Sequence, residues 1–278
     1  MDRRARRAKT DALDVEMLMR TLLVWLRGEP GVCSMVPIPD VAEEDGRRPV
    51  RERQDLIGER LALLNEIDGL LATLGITGYR LLRQDRRARL AALRTPEGDP
   101  LATNAAARIG RILERLELVM QQLAELEQAR DAVIAKEAAS SAAATMIRGL
   151  ARLKGIGAEL ATALVWEAYV CSFPNRKALG AYAGLTGTPF ASGSTAREQG
   201  ISKAGNRRLR SSLVELAWLW LRYQPGSKLA AWFRSRTGSA GGRMRKVMIV
   251  ALARKLLVAL WRFCRDGVLP EWTALKAA

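Results

Sequence analysis

The sequence predicts a mainly α protein, a helical hairpin with a coiled-coil seam followed by a denser all-helical domain. Three observations carry this. Apolar residues step by threes and fours through two long stretches, Leu63, Ile67, Leu70 and Leu74 in one and Ile109, Leu113, Leu116, Met120 and Leu123 in the other. The chain has 278 residues, 49% apolar and 27% charged, a balance that forms a core without staples. Trp166, Trp218, Trp220, Trp232 and Trp261 all lie in helical stretches of the last part, where they are expected to be core.

A first helix is predicted from about Ala8 to Arg27, with Leu13, Met17, Leu18, Leu22 and Leu26 on a 3.6-residue period and a stop at Gly28. The proline- and acid-rich run that follows reads as a loop or linker, so the first part is residues 1–49. Residues 50–140 hold the two long helices, separated by the basic RLLRQDRRARLAALR and the turn TPEGDP. Their stripe either packs on itself as an antiparallel hairpin or pairs with another protomer. A small, polar stretch, AKEAASSAAATM, sets a soft boundary before the helical domain of residues 141–278.

Composition excludes much chemistry. There is no histidine, which removes Ser-His-Asp and Cys-His triads and histidine-ligated zinc. Cys33, Cys171 and Cys264 are odd in number and far apart, so they read as buried free thiols in a reducing cytosol. The N-terminus has charge without the apolar segment of a secretory signal, and the apolar runs near Leu213 and Val247 are interrupted by charge, so a cytoplasmic protein that does not enter a membrane is expected. The net charge of +16 points to a polyanion, nucleic acid first. Between Lys203 and Arg265 the only acid is Glu215.

Four groups of residues carry candidate chemistry. LKGIGAEL reads as a helix-hairpin-helix-like turn in which Lys154, Gly155 and Gly157 present backbone N–H groups to a phosphate, or else as an ordinary corner between helices. Ser192, flanked by Gly193 and Ser194 in a stretch without helical period, is expected on a loop with its hydroxyl exposed. Lys203, Arg207, Arg208 and Arg210 follow it, on the first turns of a helix beginning near Gly205-Asn206, where they would neutralise a bound phosphodiester or form a solvated basic loop. Asp11 and Asp14 stand at i and i+3, roughly 5–6 Å apart at Cβ. Such a pair suits a hard divalent cation, Mg²⁺ or Mn²⁺, or simply complements a helix dipole.

In order, KTDALDVEMLMR, VPIPD, the helical hairpin, LKGIGAELATAL, FPNRKALGAYAGLTG, SGSTAREQGISKAGNRRLRSSLVELAW and GRMRKVMIVALARKL resemble the insertion-sequence transposases of the one-ten and eleven-eleven groups, relatives of the Piv-type DNA invertases. The resemblance covers nearly the whole chain. It implies a RuvC-like α/β domain with four acids, Asp-Glu-Asp-Asp, binding Mg²⁺, and a helical domain supplying a nucleophilic serine. The last two acids fall on Asp11 and Asp14 and the nucleophile on Ser192. It also implies recombination of DNA through a phosphoserine intermediate, a structured guide RNA in some members, and a homo-oligomer, dimer or tetramer, assembled through the coiled coil. The first two acids have no counterpart in this sequence. Residues 1–49 are therefore expected to be the C-terminal remnant of a RuvC-like domain in a truncated chain that binds nucleic acid without exchanging strands. A non-enzymatic nucleic-acid-binding remnant, or a helical partner that dimerises with full-length copies, is the alternative.

Overall fold

The computed structural model describes residues 11–29, 31–33, 38–136, 141–192, 195–238 and 241–277. It divides into two compact units, residues 1–39 and 40–278. The first contains helix α1 (Asp11–Leu26), which ends close to the predicted stop. Although largely aliphatic, α1 buries none of its residues, and Leu18 and Leu26 are 64% and 65% exposed.

In the second unit, α2 (Val41–Thr73) starts inside the stretch read from sequence as linker. The correction has a local cause. Asp40 forms a capping box: its carboxylate accepts from the Glu43 backbone N–H at 2.7 Å, and the Glu43 carboxylate accepts from the Asp40 N–H at 3.3 Å. Glu43 and Glu44 complement the helix dipole in the first turn. The acids taken for linker composition are thus helix-start signals, and Pro49 lies within the helix rather than ending the linker.

Helix α3 (Arg86–Ala91) follows, and then α4 (Thr103–Ala135) returns along α2. Ion pairs Arg53–Glu127 (2.7 Å) near one end and Arg108–Glu66 (3.0 Å) near the other fix an antiparallel sense. Leu56, Leu63, Ile67 and Leu71 are buried against Ile109, Ile112, Leu113, Leu116, Val119 and Leu123. Leu70 and Met120, expected in the seam, are only half-buried, and Leu74 caps the end of α2. The stripe is wider than an a/d seam because straight helices drift from a seven-residue repeat. Of the two pairings left open by the sequence, the apolar stripe is consumed within the chain. Arg86 (3.0 Å) and Arg87 close on Glu117, and the Arg87 hydrogen bond, with help from Arg86, holds that carboxyl below its usual range against the effect of burial.

The remaining helices are α5 (Ala142–Ala151), α6 (Ala158–Leu164) continuing into a π-helical turn (Val165–Tyr169), α7 (Arg176–Tyr182), α8 (Arg207–Tyr223), α9 (Lys228–Thr237) and α10 (Gly242–Asp266). Helix α10 packs on α5, α7, α8 and α9, with Leu252, Leu256, Leu257 and Leu260 fully buried. This domain is not all-helical. Strands β1 (Gly187–Ser192) and β2 (Thr195–Ile201) pair antiparallel between α7 and α8. Trp220 and Trp261 are core as expected and Trp166 and Trp232 are half-buried, but Trp218 is 41% exposed beneath the Arg245 guanidinium. Cys33 is exposed, contrary to the buried-thiol reading, whereas burial pushes the Cys264 thiol up to about 12. Among the described residues no helix is long and apolar enough to cross a membrane.

Leu116 is fully buried, while Leu118, two residues away on the same helix, is 54% exposed. Leu116→Ala should cost about 2–4 kcal/mol in urea unfolding and Leu118→Ala under about 0.5 kcal/mol. Equal losses would show that α4 does not use this face.

Candidate nucleic-acid interface

The start of α8 is built by close approach of two chain segments. Gly205, at φ +128°, lies so near α7 that a Cβ there would meet the Tyr182 carbonyl oxygen at 2.4 Å. Gly184, at φ +64°, faces the Ala204 carbonyl and the Arg210 guanidinium in the same way. Only glycine fits both the left-handed backbone and the space. The Asn206 N–H donates to Tyr182 O at 2.7 Å, and its side-chain oxygen caps α8 by accepting from Leu209 N at 3.0 Å.

The Asn206 amide also donates to Glu167 Oε2 at 2.6 Å, and the Arg51 guanidinium reaches Glu167 Oε1 at 3.1 Å. Glu167 is 1% exposed and sits on the π-helical turn, whose wider winding accompanies functional positions more often than ordinary helix does. Beside it Arg47 donates to the Trp166 carbonyl and to Cys171 Sγ, at 3.0 and 2.9 Å. Burial raises the Cys171 thiol, so the sulfur accepts as a neutral thiol although Arg47 pulls the other way. The sequence reading missed this network entirely. Its members lie up to 159 positions apart, from Arg47 to Asn206, and only Asn206 announced itself, as a cap.

The network fixes a helix start of unusual charge. Arg207, Arg208 and Arg210 occupy the first turn of α8, which contains no acid. Cations at a helix N-terminus oppose the macrodipole, each at a cost of about 0.3–1 kcal/mol. Arg208 pairs with Asp55 at 2.9 Å and Arg210 touches the Ala183 carbonyl at 3.3 Å. Arg207 and Lys203 are exposed and meet no carboxylate among the described residues, and Lys203 holds a left-handed backbone at φ 56°. A positive helix end, the exposed Arg207 guanidinium and the exposed Lys203 ammonium converge on one place, which suits a polyanion.

Ser192 is the last residue of β1 and faces Thr195 across the ladder. The expected loop is therefore a hairpin tip. Gly-Ser between two short runs is itself a hairpin signal, and the serine-rich composition obscured it. Gly193, Ser194 and the Ser192 side chain lie outside what is described. The base of the hairpin is tied beside the cationic helix start, with Ser202 N donating to Thr186 O at 2.8 Å and Lys203 N to Gly184 O at 3.2 Å.

Lys154, Gly155 and Gly157 form the expected turn between α5 and α6, with Gly155 at φ +85° and Gly157 as N-cap. The structure does not bring this turn to the arginines. Gly155 packs on Leu219 and Tyr223, at the far end of α8, roughly 20 Å along the axis from Arg208. The C-terminal tail also covers part of it: Lys154 N donates to Ala274 O at 3.1 Å, the Lys276 ammonium to Ile156 O at 2.8 Å, and Gln224 clamps both strands of the corner.

Asp11 and Asp14 share the first turn of α1, in the other unit. They offer the hard oxygen donors that Mg²⁺ prefers, but two donors leave most of an octahedron to water or other groups. Among the described residues no three acids or thiols are placed so that together they could hold a metal ion.

If Glu167 positions Asn206, Glu167→Ala and Asn206→Ala should each destabilise the protein, with a coupling energy of at least about 1 kcal/mol in a double-mutant cycle read by urea unfolding. Additive losses would mean that the two side chains act independently.

Residues 148–231, from α5 through the hairpin and α8 into α9, match the profile described as Transposase IS116/IS110/IS902 family. The chain is 49% identical over 283 aligned residues to the Sinorhizobium fredii protein named "Putative transposase y4rJ", covering 99% of this chain and 71% of that relative. It is 26% identical to the insertion element IS110 43.6 kDa protein of Streptomyces coelicolor, over 95% of this chain and 72% of the relative. The transposase for insertion sequence element IS1328 of Yersinia enterocolitica is 26% identical over 78% of this chain and 62% of its own length. With near-complete coverage at 49% identity and the matched profile centred on the hairpin and the arginine-bearing helix, the chain belongs to the IS116/IS110/IS902 family of insertion-sequence transposases.

Proposed function

We propose that this protein binds DNA at the start of α8 and presents Ser192 to the phosphodiester held there. The observation that carries the reading is the acid-free first turn of α8, with three arginines at the positive end of a helix beside the base of the hairpin whose first strand runs out to Ser192. Arg208 is repaid by Asp55 and Arg210 by the Ala183 carbonyl, but Arg207 opposes the helix dipole and meets no carboxylate among the described residues. A phosphate at that place is neutralised by Lys203, Arg207 and Arg210, with Arg208 shared with Asp55.

In the proposed reaction the Ser192 hydroxyl oxygen bonds to phosphorus, the phosphorus bond to a deoxyribose oxygen breaks, and the proton lost by the serine is balanced by one gained at the departing deoxyribose oxygen, which leaves as a hydroxyl. A hydroxyl of a second strand later reverses the step, so that the phosphodiester energy is kept in the phosphoserine link. The arginines stabilise the charge on the five-coordinate phosphorus. Asp11 and Asp14 would contribute oxygen donors to a Mg²⁺ ion, which acts as a Lewis acid when bound. At the turn of Lys154, Gly155 and Gly157 a separate backbone contact would fall to the glycines, because the Lys154 N–H already donates to Ala274 O. A structured guide RNA and a homo-oligomer belong to the same reading through the family resemblance. A non-catalytic role, as a helical partner of longer copies, is favoured by one observation, the unburied aliphatic surface of α1.

Duplex DNA affinity should fall steeply with salt, with a log–log slope near −0.9 per phosphate contact. Arg207→Gln with Arg210→Gln should reduce that slope by about 2 and weaken binding at least tenfold. An affinity flat across salt would overturn the reading. Because these 278 residues carry two of the four acids implied by the resemblance, no protein–DNA adduct is expected with magnesium. An adduct that disappears in Ser192→Ala would show that two acids suffice.

A further inference from the structure

A second cationic feature lies away from the start of α8. A cleft of about 690 Å³ runs between α7, α9 and α10. Its rim carries Arg176, Lys177, Arg254, Lys255 and Arg262, all exposed. None of the five pairs with a carboxylate among the described residues, and no acid lines the cleft. Asp266, within electrostatic reach of Arg262, is ion-paired with Arg265 at 2.7 Å, and Glu271 is paired with Lys228 at 2.6 Å. The floor is aliphatic, made by Leu229, Ala251, Val258 and Ala259, each half-buried.

A ring of unpaired cations over an apolar floor selects a ligand that is itself amphipathic, with regularly placed anions and apolar faces between them. An unpaired nucleic-acid strand has that chemistry, with phosphates for the rim and sugar and base faces for the floor. A duplex offers such a cleft its phosphates but keeps its base faces stacked inside. The aliphatic floor also bears on the sugar. No hydroxyl, amide or carboxylate side chain lines the cleft, so a ribose 2′-hydroxyl seated on it would lose its water without gaining a partner, whereas deoxyribose would not. No aromatic side chain lines it either, and the nearby Trp232 ring is covered by the Lys255 ammonium at 4.6 Å. With no side chain but the rim cations able to hydrogen-bond a base edge, recognition would be indifferent to sequence.

Position adds to the argument. Helix α7 carries Arg176 and Lys177 on the rim at its N-terminal end, and at its C-terminal end Tyr182 O accepts the N–H of Asn206. Arg176 and Lys177 are thus separated from the start of α8 by the length of α7, about 10 Å, while Arg254 lies along α7 beside Gly180. We propose that the α7–α9–α10 cleft is a binding site for an unpaired DNA strand, sequence-independent and distinct from the cationic start of α8. It rests on the reading above only in taking nucleic acid as the partner.

The test is fluorescence anisotropy of the full chain with a labelled 20-nucleotide DNA strand, the same sequence as RNA, and the duplex DNA. Arg176→Gln, Arg254→Gln and Arg262→Gln are combined in one variant, with circular dichroism checking its fold. The triple variant should bind the DNA strand at least tenfold more weakly, with the salt slope reduced by about 2, and duplex affinity should change less than twofold. The unsubstituted protein should prefer the DNA strand to the RNA strand. The inference falls if single-strand affinity is unchanged, if duplex and single strand weaken equally, or if RNA binds as tightly as DNA. It also falls if only binding to phosphatidylglycerol vesicles is lost, which would assign the cleft to a lipid surface. Failure of duplex binding through Arg207 and Arg210 with the single-strand effect intact would sink the α8 reading alone.

Discussion

The Glu167 carboxylate is the interaction on which the described geometry turns. A carboxylate that is 1% exposed is costly to bury unless both oxygens are met, and here one accepts from Asn206 and the other from Arg51. Those two partners come from the start of α8 and from α2, so one buried charge joins the helical hairpin to the domain carrying the serine. Around it Arg53 and Arg130 converge on Glu159 of α6, at 3.0 and 2.8 Å, and Arg208 reaches Asp55. The long hairpin is therefore not a separate body appended through a linker. Its root is woven by charge into the domain that follows, and residues 40–278 form one compact unit.

That arrangement explains how the protein tolerates charge in the wrong place. Helix α2 obeys the dipole rule, with Glu43 and Glu44 in its first turn. Helices α8 and α10 have no acid in theirs, and Arg243, Arg245 and Lys246 crowd the start of α10 as the arginines crowd α8. The dense apolar contacts of Leu213, Leu216 and Trp220 with the α10 leucines hold these helix ends together despite the repulsion. The domain gives up stability at its surface and recovers it from the core.

Much of this was legible along the chain. The period of Leu63 and Ile67 and of Ile109 and Leu116 announced two long helices, and Asn206 announced the start of α8, because caps and stripes are set by residues a few positions apart. The hairpin at Ser192 was missed because its strands are short and polar, and backbone pairing between them leaves no apolar alternation to read. The start of α2 was missed because acids and a proline were weighed as composition, when what mattered was the spacing of Asp40 and Glu43. Trp218 was misplaced because a helical period tells which residues share a face but not how far the neighbouring helix extends to cover it.

The sequence by itself determined the helical class, the excess of positive charge, the exclusion of histidine chemistry and the identity of the arginines and serine as candidates. These are local or additive properties, and no contact between distant residues is needed to read them. Only the tertiary structure decided that the α2–α4 stripe is satisfied within the chain, that Glu167 holds Asn206, and that the glycine turn and the arginines occupy opposite ends of α8. It also decided that rim cations from Arg176 to Arg262 share a cleft, although 86 positions separate them. Each of those facts is a long-range pairing fixed by how buried surfaces fit and buried charges find partners. Neither composition nor period encodes that.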